Sequence, residues 1–135
     1  MSELNSWNQK IIEEFRIRGG IVGNRQLLLL HTIGAKTQQP HVNPLAYIKD
    51  DDRFVIVAAK GGMATNPAWY HNLVAHPQVT VEVGTKKFQA LATIAPEPER
   101  TRLYDQMAAV TKGYAEYQRK TARVIPVIIL TRVEE

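Results

Sequence analysis

Hydrophobic residues recur along this chain with two periods, and the switches between them mark out its elements. Trp7, Ile11 and Phe15 repeat every four residues, the spacing of one helix face. They predict an amphipathic helix from Trp7 to Arg18, within an N-terminal segment 1–20, stopped by Gly19-Gly20. Ser6 followed by Gln9 has the spacing of a capping box at its start. Such a helix is expected to cover one mouth of a sheet. Its aromatic and basic residues also suit a membrane surface, which Glu13 and Glu14 oppose.

Beyond the glycines the period changes to strands. Gln26 to Ile33 is a continuous apolar run of strand length, followed by the polar turn Gly34 to Pro40. His41 to Lys49 alternates: His41, Asn43, Leu45 and Tyr47 share one face, Val42, Ala46 and Ile48 the other. Pro44 inside it predicts an edge or a bulge. Asp50-Asp51-Asp52 makes a charged turn, and Phe54 to Ala59 returns as a buried strand. Val79, Val81 and Val83, then Phe88, Ala90, Ala92 and Ile94, alternate on either side of Gly84-Thr85 and predict a hairpin. Pro126 to Thr131 closes the chain as a last strand.

Three further helices are predicted between these strands. One opens with Asn66 as N-cap and Pro67 in the first turn, carries Trp69 and Leu73 one turn apart, and ends before Pro77. Another starts at Pro96-Glu97-Pro98-Glu99, with Leu103, Met107 and Val110 as its buried stripe and Gly113 as C-cap. Tyr114 to Thr121 is a short helix carrying Tyr114 and Tyr117.

About six strands joined by tight turns imply a mostly antiparallel sheet with inserted helices, an α+β chain. A parallel sheet would need helical crossovers, which the turns at Asp50 to Asp52 and Gly84 forbid. A sheet of this size closes into a small barrel to remove its edges. The 135 residues suffice for one domain, 1–135, with a single core.

Composition narrows the chemistry. Lys and Arg exceed Asp and Glu by 17 − 13 = 4 charges, so an anionic partner is favoured without choosing among small ligand, nucleic acid and membrane. The absence of cysteine excludes disulfides, thiolate metal sites and a Cys nucleophile. The polar start has no signal pattern and no apolar run approaches the roughly 20 residues of a membrane span, so a cytoplasmic location is expected.

The stretch Lys60 to Asn72 concentrates features that favour an anion. A Lys, a glycine pair and unpaired helix amides meet there. A plain strand-to-helix turn would use the glycines alone. Gly34-Ala35-Lys36-Thr37 is no phosphate loop, because Gly does not directly precede Lys and a hairpin surrounds it. His31, His41, His71 and His76 share no ligand spacing, so no metal site is expected. The only serines, Ser2 and Ser6, sit in no nucleophile elbow. Positioning groups without nucleophile or metal describe a binding module, or an enzyme whose cofactor supplies the chemistry.

Five separated motifs then fall in order: Gly34-Ala35-Lys36-Thr37, Asn43-Pro44-Leu45-Ala46-Tyr47, Ala59-Lys60-Gly61-Gly62, Pro67-Ala68-Trp69-Tyr70-His71-Asn72-Leu73, and Gly113-Tyr114-Ala115-Glu116-Tyr117. Together, from about Arg18 to Thr131, they resemble the deazaflavin-dependent nitroreductase family, split β-barrels that use reduced coenzyme F-420. The resemblance implies hydride transfer from F-420 to an electron-poor acceptor, a quinone or a nitroaromatic. It implies cofactor contacts from Ala35, Lys36 and Thr37, and from His41, Val42, Asn43, Pro44, Leu45 and Ala46. Val57, Ala58, Ala59, Lys60 and Gly61, with Ala68, Trp69, Tyr70, His71 and Asn72, would complete the cradle. Tyr114 would lie over the ring as cofactor contact and catalytic residue, with Tyr117 beside it as the second catalytic residue. Family members commonly carry Arg where this chain has His41, so a bidentate anion contact is lost. An FMN-dependent oxidoreductase of the same fold, a cofactor-storing barrel and a basic barrel for nucleic acid are the alternatives. A homodimer and peripheral contact with the inner face of the plasma membrane are also compatible with the family pattern.

Overall fold

The computed structural model describes residues 3–133, with side chains from residue 8 onward. Helix α1 (Glu3–Ile17) leads into β1 (Ile21–Val22), β2 (Arg25–Ile33), β3 (Pro40–Ala46), β4 (Ile48–Asp50) and β5 (Arg53–Val57). A 3-10 turn at Lys60–Gly62 precedes α2 (Ala68–Ala75), β6 (Gln78–Val83) and β7 (Lys86–Ile94). Helices α3 (Glu99–Val110) and α4 (Tyr114–Lys120) come before β8 (Val127–Arg132).

The eight strands form one sheet in the order β1-β2-β6-β7-β8-β5-β4, with β3 also paired to β2. Every pairing is antiparallel. Tyr47 alone separates β3 from β4. That one segment pairs with β2 through Pro40 to Ala46 and with β5 through Ile48 to Asp50. The sheet therefore curls until its two ends meet on a shared, bent segment, and few edge groups stay unpaired. This is the split barrel expected, built from eight strands rather than six: β1 is new, and the stretch His41 to Lys49 divides at Tyr47.

Strand alternation explains the long apolar runs. Leu28, Leu30, Ile56, Val79, Val81, Ile128 and Leu130 face the interior, where Trp69 and Leu73 of α2 join them. Leu27 and Leu29 point outward beneath Phe15 of α1, and Val55, Val57, Val127 and Ile129 point outward beneath Leu103, Tyr104 and Met107 of α3. Helices on the outer faces make those strands apolar on both sides, unlike a half-solvated antiparallel sheet. Each such buried Leu or Val side chain contributes about 1.5–3 kcal/mol. Helix α1 thus covers the outer face of β2 rather than a mouth of the sheet. Its last turn is held by Arg16, which donates to Glu82 Oε2 at 2.9 Å, while His31 Nε2 lies 2.6 Å from the same oxygen. Burial resists charge on Glu82, but these two partners outweigh it and hold its carboxyl below the usual range.

Three helix-end expectations and one helix-face expectation are corrected. Helix α1 already runs at Glu3, so Ser6 lies inside its first turns and is not its cap; the side chains of Ser6 and Trp7 lie outside those described. Helix α2 begins after Pro67, not after an Asn66 cap, because the Asn66 amide oxygen accepts from Arg123 Nη1 at 2.6 Å. Val110 is 72% exposed; the buried stripe of α3 is Arg100, Leu103, Tyr104 and Met107. Gly113, at φ 97°, starts α4 instead of ending α3, whose last cap is Thr111. No helix among the described residues is long and apolar enough to cross a membrane.

Candidate active site

The turn between β2 and β3 is closed by its own backbone. Gly34 N–H donates to Gln39 O at 2.8 Å and Gln38 N–H to Gly34 O at 3.0 Å. A Cβ on Gly34 would lie 2.3 Å from Thr37 Oγ1, so any larger residue there would force the Thr37 side chain to move. Buried Asn72 ties this turn to α2: its Oδ1 accepts from Ala35 N–H at 3.0 Å, and its Nδ2 donates to Thr32 Oγ1 at 3.1 Å. The turn and helix enclose a cavity of about 410 Å³ lined by Gly34, Ala35, Lys36, Thr37, His41, Asn43, Ala68, Trp69, His71 and Asn72. Replacing Asn72 with leucine strands the Ala35 amide and the Thr32 hydroxyl, a loss of about 1–3 kcal/mol. A thermal melt should show that loss, and the untethered Lys36 turn should weaken anion binding in the same cavity.

A second cavity, of about 350 Å³, lies on the other side of Trp69, which lines both. Pro44, Leu45, Ala46, Val57, Ala59, Lys60 and Gly61 form one wall, and Tyr114 and Tyr117 of α4 the other. Ile11, Val22, Arg25, Leu27, Thr111 and Lys112 complete it. Taken together as a groove, the two cavities share Trp69, with Lys36 lining the first and Lys60 the second. Among the described residues, neither lining includes an Asp or Glu. The α2 N-terminus contributes here as well: it has no side-chain cap, and the first amides of a helix lack intrahelical acceptors.

Three expected contacts do not line the groove. Val42 packs with Leu27 and Leu29 beneath α1, because it faces opposite to His41 and Asn43 on the strand. Ala58 faces the interior for the same reason, opposite to Val57 and Ala59. Tyr70 packs against the interior cluster, its ring edge-on to His71 with centroids 5.5 Å apart.

Arg123 and Arg100, which brace the segments around the groove, belong to no motif. Arg123 donates to Ala59 O at 2.8 Å, Met63 O at 2.8 Å and Ala58 O at 3.2 Å, besides Asn66. Burial pulls its guanidinium below its ordinary value. Gly62, at φ 81°, lets α4 approach: a Cβ there would meet Tyr117 O at 2.8 Å. Buried Arg100 lies 4.8 Å over the Tyr104 ring and donates to Ile125 O at 3.0 Å. The Tyr104 hydroxyl donates to Tyr114 O, and the Tyr114 and Tyr117 rings sit 5.2 Å apart. Burial, reinforced by Tyr117 and Tyr104, raises the Tyr114 phenol above its ordinary value, with Arg25 opposing. Tyr114 therefore stays protonated and can donate a hydrogen bond into the groove. Arg25 and Arg123 could be found only through the folded contacts, since neither belongs to a recognisable spacing.

Among the described residues, the groove's lining is free of carboxylates, carries Lys36 and Lys60, and is apolar at Trp69. Residues 8–132 match the family model described as F-420H(2)-dependent quinone reductase. The chain belongs to that family. It is accordingly an oxidoreductase dependent on reduced coenzyme F-420. An F-420H(2)-dependent quinone reductase of Mycobacterium tuberculosis is 45% identical over 120 residues, covering 87% of this chain and 80% of that protein. A second chain from that organism, named as a putative enzyme of the same kind, is 36% identical over 103 residues, 76% of this chain and 87% of its own. The solved structure of an F-420-H2 dependent reductase superposes with a TM-score of 0.71 at 35% identity, covering 77% of this chain and 92% of that one. A chain solved as a domain-swapped dimer gives 0.74 at 31% identity over 95% of this chain and 99% of its own. A heme storage protein of Vibrio cholerae, at 16% identity and TM-score 0.59, shares only the fold.

Proposed function

We propose that chain 1–135 works as one split-barrel unit whose groove across Trp69 holds reduced F-420 and presents it to a quinone. The observation that carries this reading is that, among the described residues, no acid joins a lining that includes Lys36, Lys60, Lys112 and Arg25. The cofactor's phosphodiester and polyglutamate tail need cations and amide donors beside an apolar slot, and this donor set fits them. The Lys36 ammonium, the Thr37 hydroxyl and the Lys36 and Thr37 amides would hold phosphate, with His41 as a monodentate partner where an Arg would grip twice. Leu45, Ala59 and Trp69 would take the flat ring.

When bound, the reduced deazaflavin supplies a hydride from the ring carbon that replaces flavin N5. The chain's own share is proximity and exclusion of water. Trp69 walls off the interior, and α4 covers the groove with Tyr114 and Tyr117. Tyr114 keeps its proton on Oη and orients the acceptor carbonyl as a hydrogen-bond donor. Tyr114→Phe should therefore lower kcat about tenfold while the F-420 dissociation constant stays within about twofold. Equal losses in both would make Tyr114 a binding residue.

Lys60 is exposed, at φ 48°, and its Nζ lies 3.2 Å from Thr65 Oγ1. Loss of one charge-assisted contact is worth about 1.4 kcal/mol, tenfold in affinity. Lys60→Ala should raise the F-420 dissociation constant about tenfold with an unchanged melting curve, and unchanged affinity would place the anion site elsewhere. We also assign the chain to the cytoplasm and to a homodimer, the latter supported by the relative solved as a domain-swapped dimer.

A further inference from the structure

A third cavity is larger than either half of the groove. The starts of β2, β5 and β7 and the ends of β6 and β8 converge there on about 720 Å³, within the range of small-molecule pockets. None of its lining residues belongs to the F-420 groove.

Its floor is aromatic. Tyr47 meets Phe54 edge-on with centroids 5.7 Å apart, and Phe54 meets Phe88 at 5.7 Å in a tilted pair. All three are only partly buried and pack against the interior cluster from its open end. Its rim is cationic. The Arg132 guanidinium stands 5.0 Å from the Phe88 centroid, Lys49 Nζ stands 5.8 Å from that of Phe54, and Lys86 is the third cation. Asp52 is the one acid in the lining among the described residues. Among the described residues, Lys49, Lys86 and Arg132 form no ion pair with a carboxylate.

We propose that this mouth of the barrel binds a small aromatic anion, a planar ring carrying one carboxylate or sulfonate, at a site separate from the F-420 groove. The ring matches a floor arranged for edge-to-face and offset contacts. Three cations offset by one acid leave a net positive rim that favours an anion over a neutral ring, at a place where the ring faces already attract positive groups. A neutral ring would leave the cations without a partner, and a chain-like anion would forgo the aromatic geometry.

The test is a pair of calorimetric titrations of the full chain, with naphthalene-2-carboxylate and with its neutral isostere naphthalene-2-carboxamide. The carboxylate should bind at least tenfold more tightly. That preference should vanish in a Lys86→Gln, Arg132→Gln double variant, whose exposed positions leave the fold intact, and should survive saturating F-420. Equal affinities for the two probes would overturn the proposal. So would displacement by F-420, which would place the probe in the groove. Absence of binding at millimolar probe would also overturn it, leaving the cations as mere covers for the aromatic floor.

Discussion

Arg123→Met should lower the melting temperature by about 10 °C and weaken F-420 binding at least tenfold, although Arg123 lines neither half of the groove. Its guanidinium satisfies three backbone carbonyls and the Asn66 side chain, which lie on both sides of the Lys60–Gly62 turn. Methionine keeps the apolar stem and removes every donor. Hydrogen bonds from a charged group contribute about 1.5–3 kcal/mol each, and partial rehydration of the freed carbonyls brings the net loss to roughly 3 kcal/mol. At about 3 °C per kcal/mol for a chain of this size, that gives the stated shift. The affinity loss follows because the freed segment carries Lys60 and Gly61. Arg123→Lys should recover part of both effects, since an ammonium reaches some of these oxygens but cannot span all four. A melting curve and an F-420 titration on the two variants check this, and an unchanged titration for Arg123→Met would show that the loop needs no such tie.

Gly62→Val should abolish most turnover, by a hundredfold or more, at a stability cost of about 3 kcal/mol. Two effects add there. The φ of 81° is one that L side chains rarely adopt, worth roughly 1–3 kcal/mol. A Cβ would also stand 2.8 Å from Tyr117 O and 3.0 Å from Tyr117 Cα, backbone atoms that move only with the whole of α4. Helix α4 would be pushed outward and would carry Tyr114 and Tyr117 away from Trp69. Gly61→Val supplies the comparison: its φ is 63°, yet nothing lies within 4 Å of the added Cβ. It should show the backbone strain without displacement of α4. Similar turnover losses in both variants would mean that strain, rather than the seat of α4, is responsible.

Much of the groove was legible because its residues occupy contiguous stretches. The alternation of His41, Asn43 and Leu45 against Val42 and Ala46 is the observed division of β3 between groove or interior and the face under α1. Trp69 and Leu73 lie one turn apart and reach the interior together. What escaped depends on partners distant in sequence. Arg123 binds carbonyl oxygens, which every residue possesses, 60 or more positions away at Met63, Ala59 and Ala58. It also takes the Asn66 oxygen that local reasoning gave to a helix cap. In α3 the face that packs includes Arg100, whose charge is satisfied by Ile125 O and Gln118. A hydrophobic stripe drawn through Val110 therefore turns the helix the wrong way. The bend at Tyr47 is set by the two strands that claim its flanks, and no turn residue announces it.

The most direct test of the groove across Trp69 is the absorbance change when reduced F-420 and menadione are mixed with the protein. Oxidised F-420 should appear in many turnovers per chain, at a rate that saturates in both reactants and falls in Lys60→Ala only through weaker cofactor binding. A trace no faster than the protein-free mixture, with FMN bound tightly in place of F-420, would contradict it.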